Sequence, residues 1–208
     1  MGRQVTALRL AVAGGLVTLA VLVALLSADV RSWRDALAGG DAVFGATPAR
    51  ASWTPSTKLG GLSEDLLGIR GEVALRKALQ LYVESTEQRQ RLDNALEVQT
   101  SRARAQDALG GVAFDSDPRR AAQAETLLGV LSFDSYAQGA GPSQIDSAIS
   151  DFTDAIRTDP GSDAAAFDLE LLLRLTVAHG IRTGQGVGGG FGRTGRHGAG
   201  GGIPGSGY

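Results

Sequence analysis

The chain has 208 residues, and among them there is no cysteine, only two histidines, two lysines against eighteen arginines, and a single asparagine. Each shortage removes a class of chemistry. Without cysteine there is no disulfide framework, thiolate zinc site, iron–sulfur cluster or cysteine nucleophile. Lys58 and Lys77 leave few candidates for lysine-based chemistry, and Asn94 is followed by no glycosylation sequon. His179 and His197 stand without a carboxylate or second histidine at ligand spacing, which argues against a metal centre or a histidine base. The chain carries no Walker A string. Gly-x-Gly-x-x-Gly occurs three times, from Gly184, Gly190 and Gly200, within one glycine tract. Phosphate binding by such a loop needs a strand before it and a helix after it, and neither is expected here. We therefore expect no catalytic, cofactor-binding or metal-ligating residues and no cofactor.

What is present is unevenly distributed. The formal charge is −2 and the apolar share 43%, with a mean hydropathy of zero, figures that suit one average soluble domain. Yet thirteen of the thirty glycines fall in residues 184–208, and residues 10–26 form an unbroken apolar run. Three unlike zones are being averaged.

The first zone, residues 1–30, reads as a membrane anchor with its span at about 8–28. Leu10 to Leu26 holds seventeen positions without a charge, Thr18 being its only polar group. At about 1.5 Å per residue it covers roughly 25 Å, and its flanks extend it to the roughly 20 residues that cross a bilayer core. Arg9 can carry its guanidinium to the headgroups. A cleaved signal peptide would need a shorter apolar core and a small residue where Leu26 stands, two positions before the end of a site at Ala28; in that alternative a secreted helical protein remains. Arginines number two on each side of the segment (Arg3 and Arg9 before, Arg31 and Arg34 after), so the positive-inside rule ties. The α-amino group and short leading tail lean toward N-in, with the following domain outside the cytoplasm. The expected location is thus the cytoplasmic (plasma) membrane, crossed once.

Residues 31–61 are expected to be a short helix (31–38) and a linker, with Trp53 either at the membrane interface or pinned to the following domain. Residues 62–180 carry helical periodicity throughout, and no segment shows a convincing two-residue period, so the class is all-α. Helices are expected over 71–84 and over 86–109, the second with Leu92, Ala95, Leu96 and Ala103 as its apolar stripe and Gly110-Gly111 as its stop. Asp117-Pro118 supplies an N-cap with proline at the first helical position. In 143–158, Ile145, Ala148, Ile149, Phe152, Ala155 and Ile156 keep the helical spacing without a miss, and Ser143 with Asp146 has a capping-box pattern. Asp159-Pro160-Gly161 ends that helix, and Ser162 opens a last one.

Ala148-x3-Phe152-x2-Ala155-x4-Pro160 resembles the second half of a tetratricopeptide repeat, a helix–turn–helix unit of about 34 residues. Leu128-Gly129 resembles the Leu-Gly pair of the first helix of that unit. The resemblance implies that the alanines and Gly129 let helices approach, that Phe152 fills the gap between units and that Pro160 terminates. It spans residues 122–160 and departs from the family in its loop. Gly129 and Ala148 are 19 positions apart, where the repeat has about 12. Glu125 and Ser132 stand where the repeat has tryptophan and tyrosine. A generic helical bundle remains the alternative. The anchor, the string FDLELLLRL (167–175) and a glycine-rich tail ending PGSGY also look like bacterial tetratricopeptide proteins associated with MoxR-type ATPases and von Willebrand factor A proteins, the Bat-type aerotolerance-operon group. That resemblance implies an envelope scaffold whose partners are components of such a system.

Residues 105–170 hold twelve acids and three bases, while residues 171–208 hold four arginines and no acid. Solvated helix faces and capping aspartates account for this; the sharper reading is an acidic surface for a basic partner or for the tail. Nucleic acid is not an expected partner. Residues 181–208 are expected to be a disordered glycine-rich tail. The functional expectation is a membrane-anchored scaffold or adaptor without catalysis, binding another membrane or envelope protein. The competing class is an enzyme or regulatory subunit built on carboxylates such as Asp151 and Asp154.

Overall fold

The structure, a computed structural model, describes residues 2–91 and 95–181, with side chains described over 12–87 and 95–181. The expected glycine-rich tail beyond Ile181, Leu92 and the first residues of the expected span lie outside the described side chains. Among the described residues every regular element is helical: α1 (Gly2–Ala46), a 3-10 turn (Pro48–Arg50), α2 (Gly61–Leu67), α3 (Arg70–Arg91), α4 (Ala95–Val112), α5 (Pro118–Ala137), α6 (Ser143–Thr158) and α7 (Asp163–Ala178).

The helix that begins in the apolar run does not stop at residue 38 but continues through Gly39-Gly40 to Ala46. The reason lies in a stripe at three- and four-residue spacing. Asp29, Trp33 and Gly40 are buried and Phe44 half-buried, all on one side of α1. The chain then reverses and lies back along that stripe as an extended strap. Trp53 packs on Phe44, with ring centroids 5.8 Å apart, and lies so close over Gly40 that a Cβ there would sit 2.4 Å from the indole. Farther along, Ser32 donates to the Ser56 carbonyl at 3.1 Å, and the Asp29 carboxylate accepts the backbone N–H groups of Lys58 and Leu59 at 2.6 and 2.9 Å. The strap therefore runs antiparallel to α1 and is fastened at three levels.

From α3 onward, successive helices stack. The pairs α3–α4 and α5–α6 are packed along their lengths, and α4–α5 and α6–α7 join them; α3 also touches α5, and α5 touches α7. One apolar cluster, including Leu75, Leu109, Leu128 and Leu131, fills the space among α3, α4 and α5. A second, of Ile145, Ala148, Phe152 and Leu172, joins α6 to α7. Ala122, Ala155 and Ala165 bring α5, α6 and α7 together where only small side chains fit.

Element boundaries differ from expectation at two places. No break falls near residue 85: α3 runs on to Arg91, and the Ser85 and Thr86 hydroxyls donate to the Tyr82 and Val83 carbonyls within it. Gly110 and Gly111 likewise lie inside α4, which buries Ala105, Leu109 and Val112 and leaves Leu96 and Ala103 exposed. The Asp117 carboxylate caps α5 as its sequence indicates, accepting from the Arg119 N–H at 2.9 Å. Ser143 instead is the first helical residue of α6, and Pro142 precedes it without a side-chain cap. At the far end, Gly180 with φ of 62° lets the Ile181 N–H reach the Thr176 carbonyl at 2.9 Å, closing α7.

Candidate interaction site

Three features are candidates for function: the free part of α1 with its foot, a charged seam, and the helix stack. α1 is long and apolar enough to cross a membrane. Residues 12–24 are exposed all round, partial burial begins at Leu25, and Asp29 is 1% exposed. The strap ends beside Asp29 and leads into α2, whose Ser63 accepts the Trp33 indole N–H at 3.2 Å. This fixes α2 at the point where the free part of α1 begins. On α2, Leu62 and Leu66 are both exposed.

The charged seam was not visible as a motif, because its members are far apart in sequence. Asp41 of α1 accepts the Trp53 indole N–H at 2.8 Å and is clasped by Arg76 of α3, whose Nε and Nη2 donate at 2.8 and 3.0 Å. Arg76 also pairs with Glu72, one turn before it, and Glu72 faces Arg120 of α5 at 3.8 Å. Arg120 in turn makes a two-pronged contact with Asp115 at 2.8 and 3.1 Å and a third with Asp117 at 3.0 Å. Gly71 lies against this cluster, where a Cβ would fall 2.0 Å from an Asp115 oxygen. The Arg120 guanidinium holds the Asp115 carboxyl below its ordinary value, against burial, with the Asp117 N–H adding to it. Asp115 conversely raises Arg120. Arg76 is raised too, chiefly by its bond to Asp41. The seam thus ties the strap and α1 to α3, and α3 to the loop before α5, through alternating charges.

The six repeat-signature residues fall in one region. Ala148, Phe152 and Ala155 of α6 are buried, as are Leu128 and Gly129 of α5. A Cβ on Gly129 would stand 2.7 Å from the Phe152 ring, so glycine is what lets the two helices meet there. Leu128 belongs to the cluster shared with α3 and α4. Pro160 is exposed in the turn after α6, which ends at Thr158 with Asp159 as its C-cap.

Asp151 and Asp154 are not brought together as a pair of solvent-facing carboxylates. Asp151 is buried and accepts from the Ser132 hydroxyl at 3.3 Å across the α5–α6 contact, whereas Asp154 pairs with Arg157 on the surface. Ser132 is thus used for a polar bond in place of an aromatic ring. Among the described residues, no three His, Asp or Glu side chains are grouped closely enough to hold a metal ion. His179 is the exposed C-cap of α7; His197 lies outside the described residues. Acidic groups do converge on the row formed by α3, α5 and α7. Burial raises the Tyr82 phenol, and the charges of Asp134 and Asp168 raise it further. Burial also raises the Asp168 carboxyl.

No protein family, characterised protein or solved structure matches this chain.

Proposed function

We propose that the protein is a membrane-anchored scaffold of tetratricopeptide-like helical hairpins that binds another membrane or envelope protein and performs no catalysis. The observation that carries this reading is the construction of α1. Residues 12–24 carry no charge and are exposed, and farther along the same helix Asp29, Trp33 and Asp41 fasten it to the strap, α2 and α3 respectively. The body is thereby held at a defined position relative to a bilayer spanned by residues 8–28, with Leu62 and Leu66 at the headgroup level.

The repeat reading is supported by antiparallel neighbours in sequence order, by contacts between alternate helices, and by the Gly129–Phe152 approach. Residues 122–160 form its best unit. Asp134 and Asp168 beside Tyr82 give the row of α3, α5 and α7 an acidic character that suits a basic segment of a partner. By resemblance, the partner is a membrane or envelope component of a MoxR/von Willebrand factor A system, with the helical body outside the cytoplasm.

The test is affinity purification of the full chain from detergent extract, beside a variant carrying Asp134→Lys and Asp168→Lys. Recovery of one membrane or envelope protein by the parent and its loss with the variant is expected. Recovery unaffected by the substitutions would remove the acidic row from the reading, and recovery of no specific protein would overturn the scaffold itself.

A further inference from the structure

The outer face of α7 exposes four large apolar side chains. Phe167, Leu171, Leu173 and Val177 are 66, 46, 44 and 83% exposed, while Ala165, Leu172 and Thr176 on the opposite side are buried. At 100° per residue, the exposed positions from Ala166 to Ala178 share an arc of about 160°. The only charges on this arc are Glu170 and Arg174, which pair with each other one turn apart near its middle.

The face is balanced about Leu172, with like apolar types at mirrored positions and opposite charges at one mirrored pair. Leu171 and Leu173 lie one position either side of it, Glu170 and Arg174 two, Phe167 and Val177 five, Ala166 and Ala178 six. A two-fold axis crossing the helix pair at the level of Leu172 reverses the helix and sends each position to its counterpart. Two antiparallel copies then place Leu171 beside its own copy along one flank and Leu173 beside its own along the other. Phe167 comes next to the partner's Ala178, and Val177 next to the partner's Ala166, large against small in each case. Glu170 comes level with the partner's Arg174 twice over, so the only charges on the face meet their opposites. Along the 13 positions from Ala166 to Ala178 that the axis pairs, about 20 Å of helix, there is no like-charge encounter.

We infer that this face is the seat of a second copy of the same chain, α7 packing antiparallel on α7 about a two-fold axis at the level of Leu172. The self-complementarity is what selects this occupant: an unrelated partner would place no such symmetry on the sequence, and a parallel pairing would oppose Glu170 to Glu170.

The full chain in detergent micelles provides the test, with sedimentation and chemical crosslinking as readouts and circular dichroism to show that each variant keeps its helices. Glu170→Arg and Arg174→Glu, each alone, should weaken self-association ~10-fold or more. Mixing the two single variants should restore association between them. Because the chain has no cysteine, register is read directly. Leu171→Cys should crosslink to its own copy through a short bifunctional maleimide, whereas Phe167→Cys should crosslink to Ala178→Cys in preference to itself. Removal of residues 184–208 should leave association unchanged. A monomeric parent, single charge variants that associate like the parent, a mixture that fails to recover, self-crosslinking at every position alike, or association lost with the tail would each overturn the inference.

Discussion

Gly129 and Phe152 meet so closely that one added methyl has nowhere to go. Gly129→Ala is expected to cost about 1–3 kcal/mol through overpacking. Combining it with Phe152→Leu should recover part of that cost, so that a double-mutant cycle by urea denaturation shows a coupling between the two sites. Independent costs would mean that the contact is not limiting. Asp115 offers a second test at this scale. Its carboxyl is held below the ordinary 3.8 by Arg120, so the native state binds its proton less readily than the unfolded chain does. Its contribution is present in full above that ordinary value and is lost as pH falls through the lowered native one. Asp115→Asn should therefore reduce stability at neutral pH and flatten the acid limb of the stability curve. Asp168 has the opposite sign. Its raised value means that ionisation disfavours the fold, so Asp168→Asn should be neutral to slightly stabilising near pH 7 and lower the titration of Tyr82 seen by absorbance. A destabilised Asp168→Asn protein would show instead that the carboxylate has a structural partner.

The joint between α1 and the body depends on Asp41, Trp53 and Arg76. Asp41 is half-exposed and Arg76 is more covered, which places the pair between surface and buried ion pairs in strength. Arg76→Ala is expected to cost about 1–2 kcal/mol, and to make the strap 51–60 more open to proteolysis than it is in the parent. Protease cleavage of the strap unchanged by Arg76→Ala would mean that the joint is held elsewhere. This joint shows why part of the fold was legible beforehand and part was not. α6 was plain because apolar side chains mark its inner face at every turn, Ile145 to Ala155. The second half of α1 was not, since its inner face is Asp29, Trp33, Gly40 and Phe44: a charge, an indole, a missing side chain and one apolar ring. Such a stripe matches no hydrophobic period until the strap that completes it is in place. For α4 the sequence period points to Leu92, Ala95, Leu96 and Ala103, whereas the contact with α3 and α5 selects Ala105 and Leu109; alanine is too small to declare its side in advance. The charged seam joins residues 35 positions apart, a pairing that local spacing cannot express. Its one sequence signal was Asp117-Pro118, the cap that fixes the start of α5 next to Arg120.

Taken as a whole, the molecule places an uncovered apolar rod, an acidic helical stack and a self-complementary outer helix in that order along the chain. The rod and the segment fastened by Asp29, Trp33 and Asp41 belong to one continuous helix. This continuity gives the scaffold reading its content, because the segment proposed to cross the bilayer and the segment tied to the strap, α2 and α3 are one helix. The central claim is that residues 8–28 remain in the bilayer as part of the working protein. Alkaline carbonate washing of membranes containing the full chain, followed by mass determination of what is retained, tests it most directly. The intact 21.4 kDa chain is expected to stay with the washed membranes, and a version lacking residues 2–28 to be released. Release of the full chain, or recovery only of a shorter form beginning after Ala28, would contradict it.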